Sequence, residues 1–137
     1  MRIVEGNPPN WEKINKTFDL KGRKVVFTYG DTLYNPHGGD IPPHLMVHEE
    51  THRIQQGAEV KEWWEQYLHD DVFRLGEELE AYQAQYRHLK KTVKDRNALA
   101  RFLFVIAGDL SSPIYGSLIT HREATKLITE EDSDGID

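Results

Sequence analysis

The sequence predicts a mainly helical α+β fold, a short N-terminal β-hairpin followed by a packed bundle of helices. Three observations predict it. β-Branched and aromatic residues flank Gly30-Asp31, as a hairpin requires. From Pro43 onward apolar residues recur at spacings of three and four, the period of a helix face. At 137 residues without a cysteine, the chain has the length of one domain that builds its core without disulfides. The expected organisation is one domain over residues 1–129 and a disordered acidic tail over 130–137.

The elements follow in order. Asn10 is placed to cap a short helix whose apolar side is Trp11, Ile14 and Phe18. Gly22 ends it, Lys24–Tyr29 reads as a strand, and Gly30-Asp31 turns the chain into a second strand at Thr32–Tyr34. Asn35 to Asp40 is a loop by composition, and Pro43 opens a helix expected to run to Gln56 and stop at Gly57. A helix over Ala58–His69 carries Trp63, Trp64, Tyr67 and Leu68 on its apolar side.

Asp70 or Asp71 then caps the longest helix, reaching about Val93, with a stripe at Val72, Leu75, Leu79, Tyr82, Tyr86, Leu89 and Val93. Asn97–Leu110 is so apolar at Leu99, Phe102, Leu103, Val105 and Ile106 that it is expected at the centre of the packing. Ser111-Ser112-Pro113 interrupts it, and Thr120 with Glu123 has capping-box spacing for a last helix over Thr120–Ile128.

A net charge of −6 and a pI near 5.6 argue against a nucleic-acid binder. The local basic group Lys90, Lys91, Lys94 and Arg96 reads as a solvated helix end. The longest apolar run, Phe102 to Ala107, is too short to span a bilayer, and the opening residues have no apolar leader core. The expectation is a cytoplasmic protein with no nucleic-acid or membrane partner; oligomeric state is left open.

The chemistry concentrates at His48-Glu49-Glu50-Thr51-His52. On a helix the two histidines lie about 40° apart on one face, one turn apart, so both imidazoles can grip one ion. Glu49, about 100° round from His48, stands beside that ion, where it can take a proton from a water. This is the H-E-x-x-H spacing of zinc sites, and without cysteine the remaining strong ligands are His, Asp and Glu. A catalytic zinc site has three protein ligands. On the long helix, with Leu75 as origin, Glu78 lies about 60° to the side at the border of the apolar stripe, whereas Glu77 and Glu80 point about 160° and 140° away. Glu78 is therefore the expected third ligand, its alternative role being a surface partner of Arg74.

His48-Glu-Glu-Thr-His52 followed by Glu78-Leu79-Glu80-Ala81-Tyr82 resembles the gluzincin zinc peptidases, in which a second helix carries a glutamate ligand with a small residue three positions on. The small size, Gln55-Gln56 and Ser112-Pro113-Ile114-Tyr115-Gly116 look like small phage- or prophage-encoded metallopeptidases. The resemblance implies a minimal zincin-like domain acting on a peptide or protein substrate. It matches His48, His52 and Glu78 to the zinc ligands and Glu49 to the general base. Many members carry an acid after the small residue to orient a ligand histidine. Here that position is Tyr82, so Tyr82, Asp40 or a backbone carbonyl is expected to do so.

Tyr115 is the candidate donor to the oxyanion, with His44 behind it, and Thr32–Tyr34 the candidate edge strand for a peptide. The alternative is a non-catalytic, zinc-stabilised interaction or structural protein of phage type.

Overall fold

The computed structural model describes residues 1–134. Its elements are β1 (Arg2–Val4), α1 (Trp11–Thr17), β2 (Phe27–Tyr29), β3 (Thr32–Tyr34), α2 (Pro43–Gln56), α3 (Val60–His69), α4 (Asp71–Thr92), α5 (Arg96–Leu110), a 3₁₀ turn at Pro113–Tyr115, and α6 (His121–Asp134). This is the mainly helical α+β architecture expected, six helices with a small N-terminal sheet. Among the described residues no helix is long and apolar enough to cross a membrane.

The hairpin forms around Gly30, which takes the positive φ of 63° that the tight turn needs. The sheet has a third member that the sequence reading lacks. β1 pairs in parallel with β3, Ile3 opposite Leu33, giving the order β1-β3-β2. Thr32–Tyr34 is therefore the central strand and not the exposed edge expected of it. β2 is the edge on the side of the helices: its Thr28 lies against α2 and α3, joined to Gln56 and Trp64.

Two apolar clusters hold the helices. Ile14, Phe27, Trp63, Trp64, Tyr67 and Leu68 join α1, the hairpin and α3. Tyr82, Ile106, Ala107, Leu110, Ala124 and Ile128 join α4, α5 and α6. Helices α2 and α4 pack against each other at the seam.

Local signals set most helix ends. Pro43 opens α2 and Gly57 closes it at φ 52°. Asp70 caps α4 through Phe73 N–H, and Asp95 caps α5 through Asn97 and Ala98. Thr120 and Glu123 form the reciprocal capping box at 2.9 and 3.0 Å. Asn10 sits at the cap position of α1 but its side chain makes no cap bond.

Three expectations are corrected. On α4 the buried face is Arg74, Glu78, Ala81, Tyr82, Gln85 and Leu89, rotated from the apolar stripe; Val72 is 73% exposed and Leu75, Leu79 and Tyr86 form the flank. The reason is that this helix turns polar side chains inward to a shared site. Helix α5 buries one side alone, with Phe104 68% exposed: Ile106, Ala107 and Leu110 are its buried residues, with Leu103 packed beside them. Helix α6 continues past Glu130 to Asp134, into the stretch expected to be disordered. The rest of that stretch, residues 135–137, lies outside the described residues.

Candidate metal centre

The α2 face that meets α4 carries His48 and His52, one turn apart as the spacing requires, both buried. Glu78 projects from α4 between them and is 3% exposed. Its Oε1 lies 3.0 Å from His48 Nε2 and 3.2 Å from His52 Nε2. Its other oxygen, Oε2, accepts the Tyr67 hydroxyl at 2.5 Å. The three residues form a group that could hold a metal ion. Arg74, the alternative partner of Glu78, is spent elsewhere: it donates to the Tyr67 and Leu68 carbonyls and to Asp71.

The electrostatics favour positive charge at the centre. Burial opposes charge on Glu78, yet the His52 and His48 charges and hydrogen bonds outweigh it and hold the carboxyl far below its usual range. Burial likewise opposes charge on His52, and Glu78 overrides it, raising the imidazole to about 9. The donor set fits a cation. Two nitrogens and one carboxylate oxygen converge on one point, and tetrahedral bonds of about 2.0–2.1 Å set ligand atoms about 3.3 Å apart, close to the separations found.

Glu49, also buried, lies beside this group without belonging to it. Its Oε2 is 3.9 Å from His48 Nε2. Its Oε1 accepts the Thr28 hydroxyl at 2.8 Å, so the hairpin fixes its rotamer. Burial pushes its pKa up, against the pull of the two histidines. Gln56, one turn beyond His52, locks the hairpin to α2 by donating to the Thr28 carbonyl and accepting from Gly30 N–H.

These groups open on a cavity of about 470 Å³. Its lining includes Phe18, Leu20 and the chain from Arg23 to Thr28, together with Leu45, Asp109, Ser112, Ile114 and Tyr115. No known family model, curated protein or solved structure matches the chain. The centre therefore has to be read from its own geometry.

Tyr115, the candidate oxyanion donor, lines the cavity. The 3₁₀ turn that presents it ends at Gly116, whose φ of 88° would strain any other residue and whose added Cβ would press on the Asp71 and Leu118 side chains at 3.3 Å. Burial and the Glu78 charge push the Tyr115 phenol well above its usual range, so it keeps its proton. Its hydroxyl is hydrogen-bonded to that of Tyr82. His44 does not stand behind Tyr115; it bonds Gln85, at the back of His48.

The orienting bonds are likewise not where the sequence reading put them. His48 Nδ1 meets Gln85 Oε1 at 2.9 Å and His52 Nδ1 meets Gln55 Oε1 at 2.8 Å, in place of Tyr82, Asp40 or a carbonyl. Tyr82 packs its ring edge-on to His48 instead, 4.5 Å between centroids. Gln55, Gln85, Tyr67 and Thr28 are thus the site residues that sequence reasoning missed as such. Two of them left a trace: Gln55 lies three positions after His52 on the side of α2 that carries the histidines, and Gln85 seven positions after Glu78 on the same helix face.

Proposed function

We propose that the chain is a zinc-dependent hydrolase of peptide bonds in which Glu49 is the general base. One observation carries the reading: a buried carboxylate stands beside the three converging ligand atoms and is not one of them. A metal site kept only for stability has no use for it, since burying an extra carboxylate is costly. The spacing and the downstream glutamate support a gluzincin-like assignment, and the nitrogen and oxygen donor set supports zinc.

His48, His52 and Glu78 hold the ion, which when bound acidifies a water and polarises a carbonyl. Thr28 holds one oxygen of Glu49, leaving Oε2 turned to the centre to accept the proton of the attacking water. Glu49 then gives that proton to the leaving amine. Tyr115, protonated and lining the same cavity, donates to the oxygen that gains charge. The outer edge of β2, where the chain from Arg23 to Thr28 lines the cavity, offers backbone groups to an extended peptide.

The test is metal content by mass spectrometry together with cleavage of a diverse peptide library, with and without chelator. Glu49→Gln is expected to keep its zinc and lose at least about 100-fold in hydrolysis. Undiminished cleavage by that variant removes Glu49 from the mechanism. Zinc-loaded wild type that cuts nothing points to the metal-stabilised, non-catalytic alternative.

A further inference from the structure

Both ligand imidazoles turn their outer nitrogen to a glutamine, and the two amides are tied down differently. Gln55 Nε2 donates to the Glu77 carbonyl at 2.9 Å and to Glu80 Oε1 at 3.0 Å. Neither partner has a proton to give, so the amide cannot be turned over, and Oε1 must be the atom facing His52 Nδ1. An acceptor there requires a proton on that nitrogen. Gln85, 4% exposed, spans two imidazoles: its oxygen meets His48 Nδ1 and its nitrogen meets His44 Nδ1 at 2.8 Å. His44 is in turn held edge-on against Phe102, 5.2 Å between centroids.

We infer that Gln55 and Gln85 are positioning residues that hold a proton on Nδ1 of both rings, with His44 as the outer anchor of Gln85, so that Nε2 is the atom each ring presents, beside Glu78 Oε1, to a cation. The inference rests on the metal-centre reading above and deepens it. A neutral imidazole has one lone pair, and the nitrogen that keeps the proton decides where that pair points. A cation that binds there takes the place of the proton shared between each Nε2 and Glu78 Oε1, while the Nδ1–H bonds to the glutamines keep both rings aimed at it. Because both orienting groups are neutral amides, they do this without adding negative charge to a site that already buries Glu49 and Glu78.

The experiment compares zinc affinity, by competition with a chromophoric chelator, in wild type, Gln55→Met, Gln85→Met and Gln85→Glu, alongside ¹⁵N-histidine NMR of the zinc-loaded chains. The methionine variants, similar in shape but without the acceptor, are expected to lose about 10- to 100-fold in affinity. Gln85→Glu keeps an acceptor oxygen for His48, and its second oxygen can accept from His44 once that ring carries its proton on Nδ1, so it is expected to hold wild-type affinity or exceed it. A purely structural role lowers the melting temperature without sorting Gln85→Glu from the methionine variants in this way. Zinc-loaded wild type is expected to show both rings protonated at Nδ1 and coordinated through Nε2. This decides the matter if a methionine variant does not fold, because a ring coordinated through Nδ1 overturns the inference. Methionine variants that match wild type in affinity overturn it while the metal centre stands, and wild type that takes up no zinc overturns both.

Discussion

Tyr67 shows how much a single hydroxyl can decide. By occupying Glu78 Oε2 it leaves one carboxylate oxygen to the centre and sets the angle at which that oxygen meets both rings. Tyr67→Phe is expected to weaken zinc binding by about 10- to 100-fold with the fold intact, checked by chelator competition against the melting curve. Unchanged affinity would mean that the two histidines alone orient Glu78. Tyr115→Phe makes a different prediction: kcat down by about 10²- to 10³-fold at constant zinc content, with KM little changed, measured on any peptide that wild type cleaves. Glu78 was legible in the sequence because a charged side chain at the rim of an apolar stripe is conspicuous. Gln55 and Gln85 were not, since a neutral amide at the same angle looks like any other surface-forming residue.

Among the elements, α2 was readable from end to end because proline and glycine mark both its limits. The strand β1 was not, because three residues with a partner thirty positions away carry no local signal. Helix α4 misled for a physical reason. Leu75, Leu79 and Tyr86 flank the side toward α5 and α6, while the buried line interleaves Ala81, Tyr82 and Leu89 with the polar Arg74, Glu78 and Gln85, which α2 and α3 satisfy. Burial is thus decided by which partner each face meets, and hydropathy alone could not foresee it. The central strand offers a clean test of the sheet's contribution. Leu33 is wholly buried, and Leu33→Ala is expected to destabilise the chain by about 2–5 kcal/mol in urea unfolding. A loss under about 1 kcal/mol would show that the sheet contributes little to the global fold.

At the scale of the molecule, the centre lies on the seam between the two apolar clusters. Tyr67 of one cluster bonds Glu78, and Tyr82 of the other packs on His48. A cation at this seam binds the folded chain and not the unfolded one. Zinc at a hundred times its Kd is therefore expected to stabilise by about 2.7 kcal/mol. In calorimetry that is a rise of roughly 10 °C in Tm, reversed by chelator. A melting curve indifferent to zinc and chelator would mean that no ion occupies the seam.

On the proposed peptidase reading, Thr28 bears on how long a substrate must be. In a hairpin closed by two residues, Tyr29 and Thr32 bond each other, so Thr28 turns its backbone outward. There its carbonyl is already claimed by the Gln56 amide at 2.7 Å and the Trp64 indole at 3.1 Å. A peptide added to this edge could not pair at Thr28; the next outward-facing position in that register is Val26, upstream of the strand, so its ladder would run toward Arg23. Short oligopeptides that grip this upstream ledge should compete with long ones on nearly equal terms.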